Sequence, residues 1–135
     1  MIAELEAELR PQYPDESRHG YSVEKLLRRR RGVLLVRKDG VPAGCGGVQL
    51  MDGAYGELKR MYVRPRFRGT GLATLILERL SDHARREGIQ LLRLETGIHQ
   101  LDAIDFYERN GFRSIPPFGA YRDDPLSRFY EKRLS

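Results

Sequence analysis

A charged glycine turn that runs directly into an amphipathic helix is the feature that most restricts how this chain can fold. The segment VRPRFRGTGLATLIL occupies residues 63–77, where three arginines precede Gly69-Thr70-Gly71. Apolar residues then recur at helical spacing, which predicts a helix over residues 70–87 with one face in the core. A strand, a glycine turn and a helix in this order leave free backbone N–H groups at the positive end of the helix dipole. The segment therefore predicts a site for a phosphate group.

The composition is that of a soluble globular protein. Of the 135 residues, 40% are hydrophobic and 32% are charged, and we expect a single domain over residues 1–135. No apolar run approaches the roughly 20 residues that span a bilayer. The start, MIAELEAELR, is acidic and amphipathic, which is not the pattern of a signal peptide. One cysteine excludes an internal disulfide, and the histidines show no metal-ligand spacing. We expect a cytoplasmic protein without a metal and without a membrane partner.

The positive charge of the chain is modest. A net charge of +5 suits an anionic partner, such as a nucleic acid, a membrane surface or a small polyanion, but a surplus of solvated arginines explains it as well. The run RRRR at residues 28–31 is predicted to close a short helix, where cations offset the negative end of the dipole and face solvent. Because interleaved aromatic residues are missing, we predict no nucleic-acid partner.

The order of the remaining patterns predicts the fold class. A helix is expected over residues 2–10, and a second helix over residues 23–31 after a cap at Ser22. A hairpin is expected to turn at Asp39-Gly40, and a third strand covers residues 55–63. A strand, a helix over residues 101–110 and two closing strands follow the glycine turn. Strands that first meander and then alternate with helices predict an α/β or α+β sheet of mixed direction.

Three classes of phosphate ligand are compatible with a glycine turn of this kind. A nucleoside triphosphate requires G-x-x-x-x-G-K-[ST], and no glycine here is followed by Lys-Ser or Lys-Thr. A dinucleotide is disfavoured, although Glu95 ends the next strand at a suitable distance, because Thr74 occupies the third glycine position. The third class is coenzyme A, which carries a pyrophosphate and a ribose phosphate.

The turn resembles the pyrophosphate-binding motif of the GNAT superfamily of N-acetyltransferases. The motif (arginine or glutamine, two residues, glycine, one residue, glycine or alanine) falls on Arg68, Gly71 and Ala73. A second segment, AIDFYERNGF at residues 103–112, resembles the helix of that family with a late tyrosine before Gly-Phe. The resemblance implies a GNAT-type α/β (α+β) fold with a mixed, largely antiparallel central sheet of about six strands and about four flanking helices. The strand with which the family usually begins is expected to be missing.

The resemblance also implies acetyl-CoA as co-substrate and names residues that would hold it. The backbone amides of residues 68–73 would take the pyrophosphate, with added charge from Arg66 and Arg68. Met61 and Val63 would offer backbone groups to the acyl-pantetheine arm, one of them polarising the thioester carbonyl. Gln100 stands where many relatives have asparagine, and it can cap the helix or bond to pantetheine. The implied cofactor-binding residues are Met61, Val63, Arg66, Arg68, Gly69, Thr70, Gly71, Leu72, Ala73 and Gln100.

Two residues are candidates for proton transfer during amide formation. Tyr107 matches the acid tyrosine of the family, since a phenol of pKa ~10 can protonate a leaving thiolate whose thiol titrates near ~8.5. Glu57 lies on the strand that leads to the acyl group, where several relatives carry a base carboxylate. A simple ion pair of Glu57 with Lys59 or Arg60 is an equally good explanation. His99 and a chain of water molecules remain alternative bases.

Other side chains receive more cautious roles. Strict strand alternation puts Glu57 and Met61 on one face, but a bulge, which is usual in the family, would change the face of the later residues. Cys45 is expected to be a buried core residue rather than an acyl-cysteine nucleophile. Phe118 and Tyr121 are expected to wall an acceptor pocket.

The sequence thus predicts an acetyl-CoA-dependent N-acetyltransferase. It would transfer the acetyl group directly, in a ternary complex, to a primary amine of a small molecule or a peptide. The alternative is a non-catalytic acyl-CoA-binding sensor. We expect a monomer or a homodimer.

Overall fold

A single mixed sheet forms the framework of the computed structural model, which describes residues 16–18, 21–28 and 30–134. The strands are β1 Glu16–Arg18, β2 Tyr21–Arg28, β3 Arg31–Lys38, β4 Val41–Met51, β5 Tyr55–Val63, β6 Leu91–Gly97, β7 Arg113–Ile115 and β8 Ser127–Arg133. The helices are α1 Leu72–Arg86 and α2 Leu101–Arg109, and a short 3-10 helix covers Pro65–Phe67. The helix predicted over residues 2–10 lies outside the described residues.

The sheet is largely antiparallel, as predicted. In the described part of the chain it has eight strands in the order β1-β2-β3-β4-β5-β6-β8-β7. Every neighbouring pair is antiparallel except β5 and β6, which run parallel because α1 forms the crossover between them. The hairpin between β3 and β4 turns at Asp39 and Gly40, whose φ angles of 49° and 82° are those of the left-handed region. This turn confirms the predicted hairpin.

The helix predicted over residues 23–31 is wrong, because residues 23–28 belong to strand β2 and residue 31 begins β3. The residues of β2 pair with β3 from Tyr21↔Lys38 to Arg28↔Arg31 without a break. Val23 lies in the main core, whereas Leu26 packs on the other side of the sheet. A strand that buries apolar side chains on both faces produces spacings that imitate a helix. Arg28 and Arg31 therefore pair with each other across β2 and β3 and do not close a helix, so the dipole argument for the arginine run does not apply.

Helix α1 covers one face of the sheet, which we call the helix face. Its buried residues Leu72, Ile76 and Leu80 pack in one cluster with Leu58 of β5 and with Leu92 and Leu94 of β6. Tyr107 and Phe112, from α2 and the turn after it, join the same cluster. The residues immediately before and after Leu58 in β5 consequently point to the other side of the sheet, which we call the opposite face.

A bulge in β5 changes the face on which its last residues lie. The register with β4 shifts between Cys45 and Gly47, and Arg60 opposite this shift has a φ of 59°. A Cβ on Gly46 would lie 2.7 Å from Met61 Sδ and 2.6 Å from Ile76 Cγ2, so Met61 is on the helix face. Strict alternation, which puts Met61 on the same face as Glu57, is therefore wrong beyond Arg60. The bulge implied by the family resemblance is present.

No helix among the described residues is long and apolar enough to cross a membrane.

Candidate active site

A cleft opens where β5 and β6 separate. The two strands pair only at Gly56↔Leu92 and Glu57↔Arg93, and beyond these pairs a cavity of about 680 Å³ lies between the end of β5, the start of α1 and one side of α2. The cleft is lined by Met61, Tyr62, Val63, Phe67, Arg68, Gly69, Gly71, Leu72, Ala73, Thr74, His99, Gln100, Leu101, Asp102, Ala103, Asp105, Phe106, Tyr107, Arg109 and Asn110. The structure therefore brings together most of the predicted cofactor-binding residues with Tyr107.

The glycine turn offers backbone N–H groups to this cleft. Gly69 and Gly71 have φ angles of 78° and 83°, a region that other residues adopt at a cost, and a Cβ on either would meet nothing within 4 Å. Gly71 precedes α1 without a side-chain cap, and the first turn of the helix contains no acidic residue. Because the N–H of Leu75 bonds to Gly71 O, the N–H groups of the preceding turn have no acceptor within the helix. An anion is the natural partner for them.

The two predicted arginines differ in where they lie. Arg68 lines the cleft, where its Nε donates to Val63 O at 2.9 Å and its guanidinium lies 5.8 Å from the centre of the Tyr62 ring. Arg66 is exposed and stacks at 5.2 Å over Phe67, and it is not among the cleft residues. The Thr70 hydroxyl donates to Phe67 O at 2.5 Å, and Thr70 is likewise not among the cleft residues. The cleft thus receives the guanidinium of Arg68 but not that of Arg66.

The backbone of β5 faces the cleft at alternate residues. The N–H of Arg64 donates to Ala43 O on the β4 side. Because backbone groups alternate in direction along a strand, those of Val63 and Met61 point the other way, toward β6 and the cleft. The Val63 carbonyl already accepts from Arg68. The N–H and C=O of Met61 and the N–H of Val63 are therefore the backbone groups that this edge offers to a ligand.

Helix α2 contributes Tyr107 and Gln100. Tyr107 is packed between the rings of Phe106 and Phe112, at centroid distances of 5.5 and 5.4 Å, and burial raises its pKa to about 12. Its hydroxyl is consequently a weaker acid than an exposed phenol and stays protonated at neutral pH. Gln100 is the N-cap residue of α2 but makes no side-chain cap hydrogen bond, and it lines the cleft instead.

Glu57 lies on the opposite face, at the last residue pair before the strands separate. Its side chain is 6% exposed, and Tyr121 Oη donates a hydrogen bond of 2.5 Å to Glu57 Oε2. Burial and this hydrogen bond raise the pKa of Tyr121 above its usual range. The Glu57 carboxylate is therefore held by Tyr121 rather than by Lys59 or Arg60, and it does not line the cleft on the helix face.

Cys45 and His99 were secondary candidates. Cys45 is fully buried, its Sγ donates to Arg60 O at 3.2 Å, and burial raises the pKa of its thiol to about 11. A thiol of this kind is almost entirely protonated at neutral pH, which suits a core residue and not a nucleophile. His99 is exposed in the turn after β6, and it lines the cleft.

Several cleft residues were not identified from the sequence. Asp102, Asp105, Phe106 and Arg109 lie on one side of α2, and their spacing of three and four residues could have indicated a common face. Tyr62 could not have been found in this way, because its place beside Arg68 depends on the bulge in β5.

Comparison with known proteins places this geometry among acetyltransferases. The model of the Acetyltransferase (GNAT) family matches residues 2–112. The chain is 42% identical over 135 residues to the IAA acetyltransferase of Azospirillum brasilense, covering 99% of this chain and 88% of the relative. It is 37% identical over 130 residues to the uncharacterized N-acetyltransferase YedL of Escherichia coli, covering 91% of this chain and 79% of the relative.

Solved structures give the same result. A Klebsiella pneumoniae protein classed among the acyl-CoA N-acyltransferases superimposes with a TM-score of 0.77 at 38% identity, over 99% of this chain and 87% of its own. The PaiA N-acetyltransferase of Thermoplasma acidophilum, solved in complex with coenzyme A, superimposes with a TM-score of 0.69 at 20% identity, over 78% of this chain and 62% of its own. The second likeness concerns the fold alone.

Proposed function

The chain belongs to the GNAT family of acetyltransferases, and on that premise we propose that it is a cytoplasmic enzyme that transfers an acetyl group from acetyl-CoA to a primary amine. The acceptor is the amine of a small molecule or a peptide, and transfer is direct, within a ternary complex. The new bond joins the amine nitrogen to the carbonyl carbon, and the carbon–sulfur bond breaks. The protein acts as a monomer or a homodimer.

The glycine turn is the observation that carries this proposal. Uncapped N–H groups at residues 72–74, the open space outside Gly69 and Gly71 and the Arg68 guanidinium all meet at one end of the cleft. A diphosphate matches this combination of dipole, hydrogen-bond donors and positive charge. No side chain of the first helical turn carries a negative charge that would compete for the site. The residues present therefore fit the pyrophosphate of coenzyme A.

The gap between β5 and β6 suits the acyl-pantetheine arm. An extended chain that lies along β5 finds the backbone groups of Met61 on the exposed edge, because β6 has already diverged. The Met61 N–H is our candidate donor to the carbonyl oxygen, whose charge grows as the amine attacks. One such donor is typically worth about 3–4 kcal/mol of transition-state stabilisation.

Glu57 and Tyr107 divide the proton transfers between the two faces of the sheet. In the proposal, Glu57 accepts the amine proton from the opposite face, since it lies where the strands separate. Tyr107 donates a hydrogen bond to the departing sulfur from the helix face. With a pKa of about 12, against ~8.5 for a thiol, its hydroxyl stabilises the sulfur charge chiefly as a neutral donor. Direct transfer is favoured because the buried thiol of Cys45 is not positioned or ionised for an acyl-enzyme.

A thiol-release screen tests the proposed function. The protein is incubated with acetyl-CoA and panels of amino acids, polyamines, aminoglycosides and peptide amines, and free coenzyme A is measured together with the mass of the acceptor. We expect amine-dependent thiol release and an acceptor that gains one acetyl group. Saturable acetyl-CoA binding without release against any amine would indicate a sensor. Absence of acetyl-CoA binding would refute the assignment of the glycine turn.

A further inference from the structure

The Glu57 carboxylate is covered by a short strap of the chain, residues 116–126, on the opposite face. Tyr121 is the strap residue that touches it, through the 2.5 Å hydrogen bond from its hydroxyl to Glu57 Oε2. Glu57 is only 6% exposed, whereas Tyr121 is 39% exposed. A molecule that approaches Glu57 from this side therefore meets Tyr121 first.

Aromatic contacts hold the Tyr121 ring in place. Phe118 of the strap packs edge-on against Tyr121 at 5.2 Å, against Tyr55 of β5 at 5.5 Å and against Phe129 of β8 at 5.8 Å. The Tyr121 and Phe129 rings are 5.4 Å apart. These ring contacts anchor the strap to strands β5 and β8, and the position of the Tyr121 hydroxyl is fixed by packing that does not involve Glu57.

The charged groups around Glu57 make other contacts, so it is Tyr121 that donates a hydrogen bond to the Glu57 carboxylate. Arg93 of β6 pairs with Glu57 in register, but its Nε donates to Glu131 of β8 at 3.2 Å and its guanidinium stacks over Tyr55 at 4.7 Å. The titratable groups that face this region are Tyr55 and Lys59 on β5, Arg93 and Glu95 on β6, Glu131 on β8 and Tyr121 on the strap. Among them, the structure gives Tyr121 as the hydrogen-bond donor to the Glu57 carboxylate.

We propose that Tyr121 is a positioning residue: the Tyr121 hydroxyl fixes the Glu57 carboxylate at the point where β5 and β6 separate. This inference rests on the proposed function, in which Glu57 takes a proton from the acceptor amine. A carboxylate that is held in one orientation accepts a proton from a bound amine more efficiently than one that rotates freely. The proton leaves the amine nitrogen and ends on a carboxylate oxygen of Glu57, while the O–H bond of Tyr121 stays intact.

The variant Tyr121→Phe tests the role of the hydroxyl, because the ring and its contacts are kept. Tyr55→Phe is the matched control, since it removes a hydroxyl from the same aromatic cluster. In Tyr121→Phe we expect kcat to fall roughly tenfold while the KM for acetyl-CoA is kept, because the carboxylate loses its fixed orientation. Tyr55→Phe should keep the wild-type kcat and KM. Glu57→Gln should lower kcat at least as much, and adding Tyr121→Phe to it should cost nothing more, because the hydroxyl acts through Glu57.

A second measurement does not depend on activity. The side-chain carboxyl carbons of glutamate are observed by ¹³C NMR at a fixed pH, and Glu57 is assigned by its loss in Glu57→Gln. The chemical shift of the Glu57 carboxyl should change in Tyr121→Phe, because its hydrogen bond is lost, and stay unchanged in Tyr55→Phe. An unchanged Glu57 chemical shift in Tyr121→Phe overturns the inference whatever the kinetics show. A changed chemical shift in a protein that acetylates no amine supports the role of Tyr121 and refutes the proposed function instead.

Discussion

Replacing Ala73 with glutamate places a negative charge in the first turn of α1, beside the turn proposed to hold the diphosphate. Ala73 lines the cleft, and the helix begins at Leu72, after Gly71, without a side-chain cap or an acidic residue in its first turn. In the free protein, the new charge interacts favourably with the helix dipole, which is typically worth about 0.3–1 kcal/mol. For a chain of this size, that is a rise in Tm of roughly 1–4 °C.

The same charge opposes the ligand. At about 5 Å and an effective dielectric constant of about 40, each pair of like charges costs about 1.7 kcal/mol, so two pyrophosphate charges cost roughly 3 kcal/mol. We therefore expect Ala73→Glu to raise the Kd for coenzyme A by about two orders of magnitude while it stabilises the free protein. The two effects have opposite signs, so a general loss of structure cannot produce both.

Isothermal titration calorimetry and thermal unfolding measure the two quantities on the same samples. Ala73→Gln is the matched control, because glutamine has the size of glutamate without its charge, and it should bind coenzyme A much more tightly than Ala73→Glu. Raising the ionic strength should reduce the difference between the Kd values of the two variants for coenzyme A, since the charges are partly exposed. Equal weakening in both variants would show that bulk, not charge, matters at this position. Unchanged binding in both would refute the reasoning.

Three further predictions follow from packing and titration. Burial raises the pKa of Tyr107 to about 12, so its hydroxyl stays protonated between about pH 6 and 9. Tyr107→Phe should therefore lower kcat about tenfold at each pH in this range without changing the shape of the pH–rate profile. A shift of either limb of that profile would contradict this prediction. In Gly46→Ala the new Cβ would lie 2.6 Å from Ile76 Cγ2, so urea unfolding should show a loss of about 1–3 kcal/mol. Gly47→Ala is the control for that change, since its nearest neighbour is 3.4 Å away. Burial lowers the pKa of His83, so as the pH falls below the usual pKa of histidine the unfolded chain binds a proton that the native chain does not. The free energy of unfolding should therefore decline more steeply with falling pH in the wild type than in His83→Gln. Equal slopes of this free energy against pH in the two proteins would refute the prediction.

Local patterns were sufficient to predict the elements around the cleft. The α1 face with Leu72, Ile76 and Leu80, the turn at Asp39-Gly40 and the closing strands depend on spacings of a few residues, and the structure has them where the sequence indicated. The glycine turn was recognisable for the same reason. Its two left-handed glycines and the helix after them occur within a few consecutive residues.

Non-local contacts decided what the sequence could not predict. Strand β2 contains several residues that favour helices, such as Glu24, Lys25 and Leu26, but unbroken pairing with β3 overrides that intrinsic preference. The hydrogen bond between Glu57 and Tyr121 joins residues that are 64 positions apart. Arg66 lies outside the cleft and stacks on its neighbour Phe67, an arrangement that sequence spacing alone does not reveal.

The small number of paired residues between β5 and β6 affects how cooperatively the sheet unfolds. Only two residue pairs join β5 to β6, so in the described part of the chain the five strands on one side and the three on the other have little main-chain coupling. A molecule lying in the gap would extend the ladder and make unfolding of the halves more cooperative. Amide hydrogens of the strands on both sides of the β5–β6 gap should then exchange with solvent as one cooperative unit when coenzyme A is bound, and as two separate units when it is not.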